Sequence, residues 1–282
     1  MTYAMDSQYK EKLISTFRAL VNFCESNQLS YFVGYGTALG AIRHHGMIPW
    51  DDDIDILMPR KDYEKLLSMP KPEGYACCDM HTNEYWAPFA KWINTNTTLW
   101  EEKTHPIVIG LYVDIFVLDE GNETALSQVV QVEDATNKLR RAYTHWSWSD
   151  IFGKLLKGHP MGFQRMLLDK IWYNHHRNRY REQLLNLQNV SKQQRGNFLV
   201  SINGPYKQKE IYPKTWFDSY LMVAFEDFQV RIAVEYDKYL ERLYHNYMTP
   251  PPVDKRQSTH SHYYLNLDKG MSLEEIENVL FT

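Results

Sequence analysis

The stretch YFVGYGTALGAIRHHGMIPWDDDIDILMPRKD, residues 31–62, decides how this chain is read. Four carboxylates, Asp51, Asp52, Asp53 and Asp55, stand between an apolar approach ending in Trp50 and an apolar exit of Ile54, Ile56 and Leu57. Carboxylates crowded in this way repel one another unless a cation or a raised pKa relieves them. Asp51, Asp53 and Asp55 share the period of two that lines one face of a strand, whereas Asp52 has the opposite parity and is expected to face away. The pattern predicts a strand over 53–58, stopped by Pro59, with a metal site at its start. A calcium-binding EF-hand loop is excluded. Alignment of Asp51, Asp53 and Asp55 to such a loop puts Ile56 where glycine is required, Asp62 where the bidentate glutamate belongs, and Pro59 inside the loop.

Working outward, residues 31–35 read as a short strand whose end is bracketed by Gly34 and Gly36. Thr37 sits where a helix N-cap is expected, ahead of the helix-favouring Ala38, Leu39 and Ala41. Such a turn points backbone N–H groups and a hydroxyl at one spot, which suits a phosphate. Arg43 closes the short helix and adds positive charge, while His44 and His45 read as solvated or capping residues. Residues 6–28 form an amphipathic helix, and 60–69 a second helix after the acidic strand.

Further strands are expected at 75–80 and at 86–94, the latter carrying Lys91, followed by a polar turn over 95–98. IVIGLYVDIFVL, residues 107–118, is the strongest strand-like run, with Asp114 alone among apolar neighbours. A buried lone carboxylate needs a partner or a metal. Asp119, just beyond it, reads as a surface turn residue. The chain then becomes helical over 123–146 and 163–188. Residues 220–228 read as a returning strand, 230–247 as a helix, and the end of the chain as a tail with one small helix over 273–281.

Composition narrows the function classes. A net charge of −4 over 282 residues gives no general nucleic-acid signal. Cys24, Cys77 and Cys78 fit neither a disulfide framework nor a zinc knuckle, which favours a reducing compartment. No apolar run reaches the roughly 20 residues of a spanning helix. The expected location is cytoplasmic, with peripheral contact to the inner face of the plasma membrane. Residues 138–181 carry ten Lys/Arg against two acids, leaving the rest of the chain at −12. Together with interleaved Trp, Phe and Leu, this basic segment suits either anionic lipid or an anionic acceptor.

In order, the chain presents a strand, a Gly-Thr turn, a short helix, a strand with alternating Asp, and a later strand with one Asp. The Gly-Thr turn with Asp53-Ile54-Asp55 resembles the nucleotidyltransferase-fold signature. More narrowly, GYGTALGAIRHHGMIPWDDDIDILM, FAKWINTNTT, YVDIFVLD and VAFEDFQV resemble the LicD family, which includes bacterial phosphocholine transferases and fukutin-related proteins.

The charge change near residues 120–138 marks the one boundary, between a catalytic core over 1–122 and a basic helical subdomain over 123–219 that the family motifs do not cover; residues 220–282 return to the core. The resemblance implies an α+β fold whose core is a nucleotidyltransferase-like mixed sheet, with the helical segment as an insertion or second subdomain. It implies transfer of phosphocholine from CDP-choline to a sugar hydroxyl of a lipid-linked glycan, such as teichoic acid or a capsule, with release of CMP. Asp53, Asp55 and Asp114 are then the metal ligands for Mg²⁺ or Mn²⁺, as two ions, with Asp51 assisting. Gly36 and Thr37 contact phosphate, and Arg43 and Lys91 partner phosphate or carboxylate. Three alternatives stay open at this point: a ribitol- or glycerol-phosphate donor, true nucleotidyl transfer to a small molecule, and a non-catalytic glycan-binding protein.

Overall fold

The computed structural model describes residues 7–81, 85–122, 125–256, 258 and 262–281. The fold is α+β. The central mixed sheet takes β1 (Phe32–Val33), β2 (Asp55–Pro59), β3 (Tyr75–Cys78), β4 (Ala90–Trp100), β5 (Val108–Gly121), β6 (Phe198–Val200) and β7 (Ile211–Pro213). β8 (Tyr220–Phe225) and β9 (Phe228–Ala233) form a separate hairpin, and β10 (Tyr264–Asn266) returns to the main sheet beside β4. Along the main path the strand order is β1-β2-β5-β4-β10.

β5 is the axis of the sheet. Its residues from Gly110 to Asp119 are buried without interruption, which explains why an apolar run replaces simple alternation there. β2 lies parallel to it and β4 antiparallel, so both edges of β5 are covered. Nine helices flank the strands among the described residues. They are α1 (Ser7–Ser26), α2 (Tyr35–His44), α3 (Arg60–Ser68), α4 (Ala125–Ala142), α5 (Trp148–Leu156), α6 (Pro160–Leu168), α7 (Arg177–Gln193), α8 (Tyr236–Tyr244) and α9 (Leu273–Phe281). α1 buries Leu13, Phe17, Leu20, Val21 and Cys24, the helical stripe read from sequence, against the sheet core.

Several local expectations are corrected. The polar run 95–98 is not a turn but the middle of β4, where the register with β5 shifts between Asn94 and Leu99. Thr97 accounts for the polarity: its hydroxyl donates to the Asn94 carbonyl at 2.7 Å and accepts the Leu111 N–H at 2.8 Å. The backbone crossing is close enough that a Cβ on Gly110 would lie 1.8 Å from the Asn94 carbonyl oxygen. Asp119 is no surface turn residue. It is buried, takes two bonds from Arg60 at 2.7 Å each, and accepts the Ser191 hydroxyl at 2.9 Å, tying α3, β5 and α7 together.

The segment 220–247 also differs. Its strand is followed by a second strand rather than directly by a helix, because Glu226 at φ 54° makes a tight reversal and Val230 and Ile232 continue inward at period two. That reversal docks on the end of α2: Glu226 accepts the Met47 N–H at 2.9 Å, and its own N–H donates to the His45 carbonyl at 2.8 Å. The helix expected over 163–188 is split at a π-turn, Asp169–Tyr173, where the buried Asp169 accepts a 2.7 Å bond from Arg141. The short strands β6 and β7, and β10 in the tail, lacked any run long enough to read from sequence. Helices α4 and α7 bury a second apolar cluster around Val129, Val132, Leu139 and Leu184.

Candidate active site

Asp55, Asp114 and Lys91 stand in one row across three adjacent strands. Asp55 is the register partner of Asp114 in the parallel β2–β5 ladder, and Lys91 is its partner across the antiparallel β4–β5 ladder. All three are buried. The Lys91 Nζ donates to Asp114 Oδ1 at 2.7 Å and lies 3.2 Å from the centre of the Tyr112 ring, a desolvated and aromatic-facing position for an ammonium. Burial raises the Asp114 pKa to about 6 even though Lys91 opposes the shift. Burial, then Asp53, Asp114 and Asp51, push the Asp55 carboxyl well above the ordinary range.

β2 begins at Asp55, two residues later than expected, so Asp51 and Asp53 lie in the loop that enters it. Strand parity therefore does not sort them, and Asp52 does not stand apart. Carboxylate oxygens of Asp51, Asp52 and Asp53 all come within 4.8 Å of one another. Asp52 is buried; its backbone carbonyl accepts the Tyr9 hydroxyl at 2.9 Å and its Oδ2 accepts the Ser258 hydroxyl. Asp51 packs against Gly36: a Cβ on that glycine would meet Asp51 Oδ2 at 2.6 Å. Burial first, then repulsion from Asp53, pushes the Asp51 pKa up to about 8.

The Gly36-Thr37 turn is built differently from expectation. Gly34 is the N-cap of α2, and Thr37 is inside the helix and buried. Its hydroxyl accepts the Asp55 N–H at 2.8 Å, so Thr37 fixes the start of β2 to the first turn of α2. Asp55 in turn accepts the Gly34 N–H at 3.0 Å through its carbonyl. The positive end of the helix dipole is thereby brought against the acidic loop, a favourable alignment. Tyr35, at φ 43°, starts the helix in the left-handed region. It is locked there by a 2.9 Å bond from its N–H to the Tyr239 hydroxyl and by its own hydroxyl, 2.9 Å from Glu210.

Arg43, in the last turn of α2, lies beside Trp50. It donates to the Tyr247 carbonyl at 2.7 Å and to His44 Nε2 at 3.0 Å, and has no carboxylate partner among the described residues. Its guanidinium is 5.9 Å from the Trp50 ring centre, and that of Arg256 is 4.9 Å from the same ring. Burial, then Arg43 and Arg256, hold the His44 imidazole below its ordinary pKa, which marks the spot as cation-rich. His45 caps α2 in the left-handed conformation, as its reading as a cap requires. No signal in the sequence pointed to Arg256.

A cavity opens beside Lys91, walled by Tyr85, Trp86 and Phe89 with Glu101, Glu102, His105 and Arg140. It offers aromatic faces and carboxylates within one enclosure. The donor set of the acidic site itself is all carboxylate, with Lys91 the one ammonium in contact with it among the described residues. Hard divalent cations such as Mg²⁺ or Mn²⁺ match oxygen donors of this kind, so the residues fit the proposed metal. Asp53, Asp55 and Asp114 are the carboxylates that would hold it, with Asp51 beside them.

Residues 28–154 match the LicD/FKTN/FKRP nucleotidyltransferase domain family. Over 256 residues, covering 88% of this chain and 92% of the relative, the sequence is 27% identical to lipopolysaccharide cholinephosphotransferase LicD of Haemophilus influenzae. An uncharacterised protein of Rickettsia typhi is 35% identical over 82 residues, and one of Rickettsia prowazekii 38% over 66 residues; these cover 25% and 20% of this chain, and 26% and 25% of those proteins.

Proposed function

We propose that this chain, whose residues 28–154 form a LicD-family nucleotidyltransferase domain, is a LicD-type phosphotransferase that moves phosphocholine from CDP-choline to a sugar hydroxyl of a glycan and releases CMP. The observation that carries the reading is the Asp55–Asp114–Lys91 row with the Asp51–Asp53 loop packed at its edge. The similarity to the Haemophilus cholinephosphotransferase extends well beyond the nucleotidyltransferase domain, which supports the same substrate class.

In this reaction the acceptor oxygen attacks the phosphorus that bears choline. The bond from that phosphorus to the bridging oxygen breaks, CMP leaves, and the acceptor hydroxyl gives up its proton. Asp53, Asp55 and Asp114 would hold the divalent ions, whose chemistry would be charge neutralisation at the pyrophosphate and a lowered pKa of the attacking hydroxyl. Lys91 holds Asp114 in place by their 2.7 Å bond. Asp51, fixed against Gly36, is the carboxylate positioned to take up the proton. Arg43 and Arg256 flank Trp50 as cations that can receive the phosphate of the departing nucleotide.

The acceptor in this reading is a lipid-linked glycan, of the lipopolysaccharide, capsular or teichoic type, met at the inner face of the plasma membrane. No helix among the described residues is long and apolar enough to cross a membrane. Calorimetric titration with CDP-choline, CDP-ribitol, CDP-glycerol and CTP, with and without Mg²⁺, tests the donor. Tightest Mg²⁺-dependent binding of CDP-choline is expected. Preference for CTP, with an acceptor that gains a nucleotide, points instead to nucleotidyl transfer.

A further inference from the structure

Helices α5 and α6 form a hairpin whose outer surface is apolar. Trp148, Phe152, Leu155 and Leu156 are exposed on α5, while Ile151 alone of that helix is buried. Met161 and Leu168 are exposed on α6, and Ile171 and Trp172 continue the stripe into the π-turn. Of nineteen large exposed apolar side chains among the described residues, eight fall within these 25 positions. At the tip, Leu156 and Met161 keep 87% and 82% of their surface in contact with solvent. Isolated exposed leucines are ordinary, but a contiguous patch of this kind marks an interaction surface.

The charges on the hairpin are one-sided. Lys154, Lys157 and Arg165 have no carboxylate partner among the described residues. Lys170 sits 5.2 Å from the Trp148 ring centre and donates to the Trp146 carbonyl at 2.7 Å. The two acids here are already engaged: Asp150 with the capping Ser147, and Asp169 with Arg141. Large apolar side chains, two tryptophans and unpaired cations on one surface are the requirements of an interfacial helix on anionic lipid. A second copy of this chain is a poorer occupant, because face-to-face packing would bring the same cations together.

We infer that the α5–α6 hairpin docks the protein on an anionic phospholipid bilayer, with its tip inserted at the headgroup boundary. The proposed lipid-linked acceptor gives this docking a purpose, but the inference rests on the hairpin surface. The basic segment 138–181 carries +8 and the remainder of the chain −12, so an anionic surface attracts the hairpin side and repels the rest. Docking is therefore directional.

Flotation of the full chain with phosphatidylcholine vesicles, with and without phosphatidylglycerol, tests it. Salt-sensitive binding to the anionic vesicles is expected, with a blue shift in tryptophan emission. Leu156→Glu with Met161→Glu, at two solvent-facing positions, should weaken binding by roughly tenfold or more while circular dichroism and turnover of soluble CDP-choline stay unchanged. Unaltered flotation of that variant overturns the inference, as does absence of binding by the parent chain. A parent dimer that the variant converts to monomer also overturns it, by assigning the face to self-association. Failure of CDP-choline turnover with intact flotation counts against the proposed reaction and leaves the docking standing.

Discussion

Lys91 and Asp114 face each other across the β4–β5 ladder, with Nζ 2.7 Å from Oδ1 and both side chains buried. Removing either partner alone strands a buried charge. Lys91→Met is expected to cost roughly 3 kcal/mol of stability, and Lys91→Met with Asp114→Asn to recover most of it. Denaturant unfolding of the two variants measures this. Equal stability of single and double variants would show that the pair is not the stabilising unit.

Asp119 gives the structural counterpart. Its three bonds from Arg60 and Ser191 lie toward the C-terminal end of β5, beyond the Asp114 row. Asp119→Ala leaves the partly buried Arg60 guanidinium without its carboxylate and is expected to cost about 3 kcal/mol. The folded fraction should keep its turnover number. A large fall in turnover per folded molecule would move Asp119 into the chemistry.

Gly36→Ala probes the contact with Asp51. Alanine favours the helix by up to about 1 kcal/mol, yet its Cβ would sit 2.6 Å from Asp51 Oδ2. Unfolding should be little affected while transfer falls by roughly 100-fold, the scale of a displaced catalytic group. Undiminished transfer would free Asp51 from any role.

Glu210 supplies a pH signature. Burial lifts its pKa from 4.5 to about 7, against bonds from Tyr206 N–H, Tyr212 and Tyr35 that favour the ionised form. The folded state therefore binds the proton more tightly than the unfolded state. Its stability contribution is full below pH 4.5 and is lost as pH rises through about 7. Relative to Glu210→Gln, the parent chain should lose about 3 kcal/mol across that window. Parallel stability curves for the two proteins would refute the assignment.

What was legible in the sequence follows the range of the interactions. Asp114 could be read because it interrupts a long apolar strand. Asp55 followed from the same logic at the head of β2. Alternation put Lys91 on a strand, but its carboxylate partnership came from the family resemblance, and only the β4–β5 pairing brings it to Asp114. Asp52 was misread because the parity rule fails outside the strand; its place is set by Tyr9 and Ser258, far away in the chain. Asp119 was misread as a turn residue because its partners, Arg60 and Ser191, are 59 and 72 positions distant. The bond that Thr37's hydroxyl accepts from the Asp55 N–H joins residues 18 positions apart, and no local pattern at the Gly36-Thr37 turn shows it. Arg256 follows a proline-rich loop and becomes visible only when it reaches Trp50.

The most direct test of the account is CMP release from CDP-choline with a glycan acceptor, compared between the parent chain and Asp53→Asn with Asp55→Asn. The parent chain should release CMP in step with phosphocholine appearing on the acceptor, dependent on Mg²⁺ or Mn²⁺, and the variant should lose at least about 1,000-fold, near the scale of removing a dominant electrostatic contribution. Metal-independent release, or full activity in the variant, would contradict the account.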